Sequence, residues 1–175
     1  MTDGSNTVPV ISIVGKGDSG KTTFLEKLIR EMAGRGVSVA TVKHHVHDYD
    51  IDVPGKDSWR HARAGAVTTM VSSPEKFSLI RKVEREFTLP ELAAFAFESG
   101  CDVLLTEGFK REGVNRVEIS RAARSDELLC SSNEMLALVT DNPSLACEGV
   151  PVFALDDACG VADLIAERFG LGGDA

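Results

Sequence analysis

The sequence lacks the features of a secreted, membrane-spanning or nucleic-acid-binding protein. None of its cysteines forms a C-x-x-C pair, which is typical of reduced thiols rather than of disulfides or a zinc site. The apolar runs are far shorter than the ~18 residues of a membrane helix, and the polar start, residues 1–7, does not resemble a signal peptide. A net charge of −8 and a pI near 5.0 argue against broad binding to nucleic acid or to anionic membranes. We therefore expect a cytoplasmic protein. The cysteines are Cys101, Cys130, Cys147 and Cys159.

The chain is also short and has few aromatic residues. Its 175 residues, of which 43% are hydrophobic, suffice for one core. We expect a single domain over residues 1–175, with residues 1–7 as a disordered tail. Trp59 is the only tryptophan, and we predict that it is a packing anchor, the usual role of such a residue.

What the sequence does contain is a phosphate-binding motif. Residues 15–22 match the pattern G-x-x-x-x-G-K-[ST] and read Gly15-Lys16-Gly17-Asp18-Ser19-Gly20-Lys21-Thr22. The apolar run at 8–14 favours a buried strand before the motif, and apolar residues at helical spacing over 24–32 predict a helix after it, beginning near Ser19 or Gly20. A strand, a glycine-rich turn and a helix present backbone N–H groups and a positive helix end to the phosphates of a nucleotide.

Side chains of the motif add chemistry to this backbone cradle. We expect Lys21 to reach the β- and γ-phosphates and the Thr22 hydroxyl to complete a Mg²⁺ shell. Lys16 resembles the early lysine of dimeric P-loop ATPases and GTPases, which reaches the phosphates of the partner subunit; the alternative is a solvent-facing lysine. Asp18 departs from the usual glycine of that pattern, and a carboxylate beside phosphates is mildly repulsive.

The rest of the chain alternates between strand and helix patterns. Strands are predicted at 37–42, 67–71, 77–80, 101–107, 117–119, 135–139 and 150–155, and helices after an Asp57-Ser58 cap, at 89–97 and at 161–169. The first strand–helix–strand unit implies a parallel sheet, and the short loop at 72–76 implies a hairpin that makes the sheet mixed. We therefore predict an α/β fold: a P-loop NTPase-like three-layer sandwich with a mostly parallel mixed sheet and helices on both faces.

A histidine- and aspartate-rich loop follows the strand at 37–42. It lies past the carboxyl end of a strand, the edge at which open α/β sheets bind ligands. One interpretation is a Mg²⁺ and substrate loop in which an aspartate holds the metal or its waters. The alternatives are a transition-metal site at the H-x-x-H histidines and a plain solvated loop. The residues concerned are His44, His45, His47, Asp48, Asp50 and Asp52.

Two later strands also end in residues suited to a nucleotide. Glu107 ends an apolar strand at the position where P-loop proteins hold Mg²⁺ or its water, and Gly108 lets the backbone pass close to the γ-phosphate. The alternative is a polar residue that only ends a strand. Asp141 follows the strand at 135–139, where many GTPases read guanine with a carboxylate, although a plain turn explains it at least as well.

Together these segments resemble the MobB-type family of molybdopterin-guanine dinucleotide biosynthesis adapter proteins. The resemblance is carried by GKGDSGKTT at 15–23, VKHHVHDYDIDVPGKDSWRHARAGA at 42–66 and VLLTEGFK at 103–110. The second segment is the specific one. Many unrelated proteins share a P-loop, whereas H-D-x-D-x-D-x-P-G-K-D-S followed by A-G-A is rarely combined with one.

The resemblance implies a homodimeric GTP-binding protein with weak GTPase activity that assists a guanylyltransferase in attaching GMP to molybdopterin. GTP and Mg²⁺ are the implied cofactors, with molybdopterin as a transient ligand. Matched by position, phosphate contacts fall to residues 15–23, which end at Thr23; catalytic roles to Lys16, Lys21 and Glu107; and metal binding to Thr22, Asp52 and Glu107. Further nucleotide contacts are expected at His44, Asp50, Asp52, Gly108 and Asp141, and the signature loop also holds Lys43, Asp48, Lys56 and Asp57.

We expect slow GTP hydrolysis, because the motifs leave one catalytic role without a residue. Phosphoryl transfer needs stabilisation of the γ-phosphate charge, and the pattern places no arginine finger, although Arg60, Arg63 and Lys16 of a second subunit are candidates. The alternative function is a P-loop kinase or phosphotransferase that acts on a small anionic acceptor held by Lys110 or Arg111. A histidine-based metal chaperone is a lesser alternative.

Overall fold

The computed structural model describes residues 6–44, 49–109 and 115–172. In chain order the elements are β1 (Val10–Val14), α1 (Lys21–Gly34), β2 (Val39–Lys43), α2 (Asp57–Arg63), β3 (Thr68–Ser72), β4 (Phe77–Arg81), α3 (Leu89–Glu98), β5 (Val103–Glu107), β6 (Arg116–Ser120), β7 (Met135–Thr140), β8 (Val152–Phe153) and α4 (Ala158–Phe169). Over the described ranges, no helix is long and apolar enough to cross a membrane.

The described residues divide into two compact units. The first unit contains residues 6–44 and 88–172, and the second contains residues 49–87. Most of the predicted N-terminal tail, residues 1–5, lies outside the described residues. Since each unit has its own sheet, the two are described separately below.

The first unit is built on a six-stranded sheet in the order β2-β5-β1-β6-β7-β8. Every neighbouring pair in this sheet runs parallel. The central position of β1 places the chain that follows it between the ends of β5 and β6. Because the carboxyl ends of parallel strands meet at one edge, the loops after β1, β2, β5, β6 and β7 all emerge on the same side of the sheet.

Helices cover both faces of this sheet, as predicted. Ile11, Leu105 and Val139 pack with α1 and α4 on one face. On the other face, Leu104 packs with the α3 residues Ala93 and Ala96. Successive strand residues point to opposite faces, so a sheet covered on both faces requires nearly continuous apolar strands, which is what the sequence contains. The three-layer α/β fold class is confirmed.

The predicted hairpin is present but forms a sheet of its own. In the second unit β3 and β4 pair antiparallel in a separate two-stranded sheet, with Thr68 opposite Arg81 and Ser72 opposite Phe77. The expectation that this hairpin makes the main sheet mixed is therefore corrected, since the six strands of that sheet pair only in parallel. A short loop predicts that two strands pair with each other, but it carries no information about which sheet the pair joins.

The helix starts lie close to their predicted positions. α1 begins at Lys21, and Gly20 is its N-cap with a φ of 95°. The predicted Asp57-Ser58 cap of α2 is off by one residue, because Lys56 is the N-cap and Asp57 is the first helical residue. α3 starts with a capping box between Thr88 and Glu91. This reciprocal pairing satisfies backbone N–H groups that have no partner within the helix.

The glycine-rich loop, residues 15–20, approaches β6 closely. Gly15 has a φ of 155°, and a Cβ atom built on it would lie 2.4 Å from the carbonyl oxygen of Ile119 and 2.5 Å from Ser19 Oγ. No side chain fits in that space, so the first glycine of the motif is required by packing as well as by conformation. A Cβ on Gly17, by contrast, would meet nothing within 4 Å.

Buried charged groups hold the chain after β6 against that strand. Glu118 is 1% exposed and accepts hydrogen bonds from the N–H groups of Leu129 at 2.8 Å and Cys130 at 2.9 Å. Arg116 Nη1 donates to Glu134 Oε1 at 2.8 Å. Burial raises the pKa of the Cys130 thiol to about 11, so this thiol is protonated at neutral pH. The chain between β6 and β7 therefore starts next to the glycine-rich loop and is held against the sheet before β7 begins.

The contrast between the two loop glycines gives a stability prediction. Gly15→Ala is expected to lower the free energy of unfolding by about 1–3 kcal/mol, since it forces a residue with a Cβ into a strained conformation against a backbone carbonyl. Gly17→Ala is the matched control and should change this energy by less than about 0.5 kcal/mol. Urea unfolding followed by circular dichroism measures both. Equal stability of Gly15→Ala and the parent chain would contradict the close packing of the loop on β6.

Candidate functional site

The Lys21 ammonium group is held on the glycine-rich loop. Its Nζ donates to the carbonyl oxygen of Lys16 at 2.7 Å and to that of Gly15 at 3.2 Å. Lys21 is also the first residue of α1, so its charge adds to the positive end of the helix. An ammonium group held by the backbone of the loop at a helix start is the arrangement expected for an anion site.

The Thr22 hydroxyl contacts the acid predicted at the end of β5. Thr22 Oγ1 lies 2.9 Å from Glu107 Oε1 and 3.0 Å from Oε2, although 85 residues separate the two in the chain. The register of the sheet causes this contact, because Ile13 near the end of β1 pairs with Glu107 at the end of β5. Two residues predicted from separate motifs to bind Mg²⁺ are thus neighbours in the fold.

A second cation also meets Glu107. Lys43 at the end of β2 pairs with Glu107 across the sheet, and Lys43 Nζ lies 3.7 Å from Glu107 Oε1. The Glu107 side chain is only 12% exposed, whereas that of Lys43 is 61% exposed. The carboxylate is therefore largely enclosed and already partnered by a hydroxyl and an ammonium. The exposed lysine adds little stability, but it balances the charge of the acid.

The donor set at this point fits Mg²⁺ better than a transition metal. A hydroxyl and a carboxylate are hard oxygen ligands, and Mg²⁺ usually combines one or two protein ligands of this kind with waters and substrate phosphates. Within the described ranges, no group of three or more His, Cys, Asp or Glu side chains is arranged to hold a metal ion. His45 and His47, the other members of the predicted histidine site, lie outside the described residues.

Gly108 and His44 meet directly beyond the ends of β5 and β2. The His44 N–H donates to the Glu107 carbonyl oxygen at 2.9 Å. Gly108 has a φ of 111°, and a Cβ on it would lie 2.9 Å from the Cβ of His44. The His44 ring lies 4.8 Å from the ring of Phe109, measured between centroids. Gly108 thus allows the segments that follow β5 and β2 to cross at the carboxyl edge of the sheet. This crossing places the His44 imidazole at that edge.

The structure adds two arginines to this edge, Arg121 and Arg124, to which the sequence analysis assigns no role. Arg121 Nε donates to the Ser19 carbonyl oxygen at 3.0 Å. Arg124 Nη2 lies 3.5 Å from Asp18 Oδ2, in an exposed pair of the kind that contributes little stability. Asp18, the unusual residue of the motif, has a φ of 56°. Only the strand order could have predicted the position of these arginines. Because β6 lies beside β1, the chain after β6 emerges next to the loop.

A narrow cleft between this segment and the loop contains unpaired polar atoms. Lys16, Arg121 and Arg124 line the cleft together with Glu118 and Glu127, so three cations and two carboxylates lie beside the loop. The hydroxyl oxygens of Ser19 and Ser120 line it too, and both are buried without a hydrogen-bond partner among the described residues. Hydroxyl donors and cations around a helix start favour binding of an anion.

The remaining predicted site residues are less close to the loop or belong to the other unit. Asp141 follows β7, and its Oδ1 accepts a hydrogen bond from the Ala122 N–H at 2.7 Å. Asp50 and Asp52 lie in the second unit, where Asp52 Oδ1 accepts hydrogen bonds from Val53 N–H and Ser58 Oγ. Their contacts with nucleotide or metal stay predictions. Asp48, Lys110 and Arg111 lie outside the described residues.

Comparison with known proteins identifies the family of this chain. Residues 10–141 match the family described as "Molybdopterin guanine dinucleotide synthesis protein B". The chain is 33% identical to the molybdopterin-guanine dinucleotide biosynthesis adapter protein of Escherichia coli K12 over 168 residues, which cover 94% of this chain and 95% of that protein. It is 33% identical to the protein of the same name from Haemophilus influenzae over 139 residues, 79% of this chain and 78% of the relative.

The comparison with solved structures indicates the same family. The fold is similar to the crystal structure of Bacillus subtilis MobB, with a TM-score of 0.73, 28% identity, and coverage of 95% of this chain and 99% of that one. The match to the family extends from the first residue of β1 to Asp141 and so includes the glycine-rich loop, Glu107 and Gly108. The chain therefore belongs to the MobB family of molybdopterin guanine dinucleotide synthesis proteins.

Proposed function

We propose that this chain binds GTP with Mg²⁺ at the glycine-rich loop and acts as an adapter for a guanylyltransferase that attaches GMP to molybdopterin. The observation that carries the proposal is the contact of Thr22 with Glu107, next to a Lys21 ammonium held on the loop. The family name supplies the biosynthetic context, since relatives are named as adapters of molybdopterin-guanine dinucleotide biosynthesis.

The triphosphate is bound mainly by groups of the first unit. Backbone N–H groups of the loop and the start of α1 face the phosphates, and Lys21 turns from the loop carbonyls towards them. Lys16 and Arg121 add positive charge beside the loop. Glu118 and Glu127 line the same cleft, so these cations act on the phosphates through their position beside the loop rather than through a large net charge.

Thr22 and Glu107 are the residues that would hold Mg²⁺. When bound, the metal would neutralise charge on the phosphate oxygens. Thr22 would contribute a hydroxyl ligand, and Glu107 would contribute a carboxylate, directly or through a water. The exposed ammonium group of Lys43, which lies 3.7 Å from Glu107 Oε1, would then be available to the phosphates.

Preference for guanine is proposed at Asp141. A carboxylate accepts hydrogen bonds from both N1–H and the N2 amine of guanine, whereas adenine presents no such pair of donors. The Ala122 N–H fixes the orientation of Asp141 by donating to Oδ1. This bond orders the side chain before any ligand arrives, which lowers the entropy lost on binding.

A homodimer is the assembly that we propose. The support is the apolar surface of the second unit, in which every residue of β4 is exposed. Met70 of β3 and Phe77 of β4 are 63% and 62% exposed. Exposed apolar side chains clustered on a hairpin are typical of a protein–protein interface. A second copy offers the same apolar surface, so that pairing about a two-fold axis would cover both.

Nucleotide binding is tested by Lys21→Ala. Loss of the ammonium should weaken GTP binding in the presence of Mg²⁺ by about 10- to 100-fold, the range expected for a charge-assisted contact. Isothermal titration calorimetry measures this affinity, and ATP titrated in parallel should bind more weakly than GTP. Lys27→Ala, on the same helix, is the control and should bind as the parent chain does. Unchanged affinity in Lys21→Ala would remove the phosphate assignment.

The adapter role is tested by turnover. Glu107 is engaged by Thr22 and Lys43 rather than placed to activate water, so the isolated protein should hydrolyse GTP well below the 1–10³ s⁻¹ typical of enzymes. Added to a guanylyltransferase with molybdopterin and limiting GTP, it should raise the yield of dinucleotide, and Lys21→Ala should not. Phosphate release and chromatography of the product measure the two. Rapid hydrolysis by the protein alone would refute an accessory role.

The dimer is tested by a charge placed on the hairpin. Phe77→Lys should shift the mass measured by light scattering from dimer towards monomer, because a lysine cannot be buried in the interface without a partner. Phe95→Lys is the control, since Phe95 is a similarly exposed phenylalanine on α3. A parent chain that is monomeric at all concentrations, or a control that dissociates while Phe77→Lys does not, would refute the hairpin interface.

A further inference from the structure

The second unit contains a cavity that no predicted role explains. Its volume is about 390 Å³, which lies within the range of sites for small organic ligands. The walls come from the chain before α2, from α2 itself and from the β3–β4 hairpin. None of the lining residues belongs to the glycine-rich loop or to the strands of the six-stranded sheet.

Three residues that line this cavity carry buried polar atoms without partners. The atoms are Asp52 Oδ2, Trp59 Nε1 and Thr69 Oγ1, which have no hydrogen-bond partner among the described residues and are closed to solvent. Thr69 as a whole is 8% exposed. Most buried polar atoms in native proteins are paired, so three unpaired ones around one cavity indicate a missing partner.

Asp52 is fixed in one orientation by its own loop. Its Oδ1 accepts hydrogen bonds from the Val53 N–H at 2.9 Å and from Ser58 Oγ at 3.0 Å. These bonds determine the position of Oδ2, the atom left without a donor. A carboxylate oxygen accepts only, so an organic partner must supply an N–H or O–H group.

The other walls define the shape and charge of a suitable ligand. Tyr49 and Trp59 are aromatic and Ile80 is apolar, a combination that suits a planar ring. Arg63 lies over the Trp59 ring, with Cζ 5.1 Å from the ring centroid, and Lys82 is a second cation on the lining. The indole N–H donates only and requires an acceptor on the ligand. Asp50 and Asp52 also line the cavity, so an anionic substituent is favoured only beside Arg63 and Lys82 and not near the two carboxylates.

We propose that this cavity is a second ligand site, which binds the 2-amino-4-oxo ring shared by pterins and guanine when that ring carries an anionic substituent. The ring N–H and amino groups donate to Asp52, its acceptors receive the Trp59 N–H and the Thr69 hydroxyl, and Arg63 and Lys82 attract the anion. Since the three polar atoms are closed to solvent, binding displaces the groups that cover them, while Asp52 keeps its bonds from Val53 and Ser58. Asp52 then serves an organic ligand and not Mg²⁺. The site is inferred from the geometry; only the choice of a pterin rests on the proposed function.

Trp59, the only tryptophan, makes the site directly observable. Its fluorescence is titrated in the full-length protein with pterin-6-carboxylate, with GMP and with lumazine-6-carboxylate, which lacks the 2-amino group. Pterin-6-carboxylate should quench the emission to saturation, and the lumazine should bind about tenfold more weakly, as expected for a lost hydrogen bond to a charged group. Saturation by pterin alone identifies a pterin site, and saturation by GMP as well shows that the shared ring is recognised.

Variants separate ligand recognition from folding. Asp52→Asn keeps the acceptor used by Val53 and Ser58 but presents an amide N–H₂ in place of Oδ2, so pterin affinity should fall about tenfold or more. Glu75→Gln, in the hairpin turn, removes the same charge away from the cavity lining and should leave the affinity unchanged. Thr69→Val removes an unpaired hydroxyl, so it should weaken binding severalfold without lowering the melting temperature of the ligand-free protein.

Three results would overturn the proposal: no saturable quenching by pterin or GMP, equal affinity for the pterin and the lumazine, or equal affinity of Asp52→Asn and the parent chain. Lys21→Ala distinguishes this failure from failure of the GTP assignment. That variant should bind pterin-6-carboxylate as the parent does even though it has lost GTP binding. The two sites are thus tested by independent readouts.

Discussion

The pairing of β1 with β5 is the constraint on which the candidate site depends. The register sets Ile13 opposite Glu107, the acid that ends the apolar strand β5. This brings Glu107 close to the start of α1, where Thr22 contacts it at 2.9 Å. β2 adds Lys43 in register with the same acid. A shift of one residue in either pairing would point Glu107 to the opposite face of the sheet and remove both contacts. The chemistry of the loop is therefore fixed by hydrogen bonds between strands.

The edge that holds the glycine-rich loop is less acidic than the chain as a whole. The chain carries a net charge of −8, whereas three cations and two carboxylates line the cleft beside the loop. Glu118 and Arg116, both buried on β6, hold the following segment in place so that its arginines lie beside the loop. Removing one partner of a buried, hydrogen-bonded charge is costly. We infer that Glu118 and Arg116 act here to position exposed charges, which by themselves contribute little stability.

The parts that could be predicted from sequence are those with a local signal. The glycine-rich loop follows β1 and Glu107 ends β5, so both were predicted correctly to lie at the ends of apolar strands. Their mutual contact, and the contact of Arg121 with Ser19, depend on the order of strands, which no local pattern encodes. The same limit explains why the hairpin was expected in the main sheet. Trp59 was predicted to be a packing anchor because a residue type indicates burial but not whether its N–H finds a partner.

The residues proposed to bind the two ligands differ in how far their polar groups already have hydrogen-bond partners. At the glycine-rich loop, Lys21 donates to backbone carbonyls and Thr22 bonds with Glu107, so an arriving nucleotide has to exchange existing hydrogen bonds for new ones. In the second unit, Asp52, Trp59 and Thr69 each keep an unpaired buried atom, so a ligand gains contacts without breaking any. For ligands that make equal contacts, binding is stronger where no bond must first be broken. A site whose polar groups are already paired suits a nucleotide that must be released. A site whose polar groups lack partners suits a ligand that must be retained until transfer.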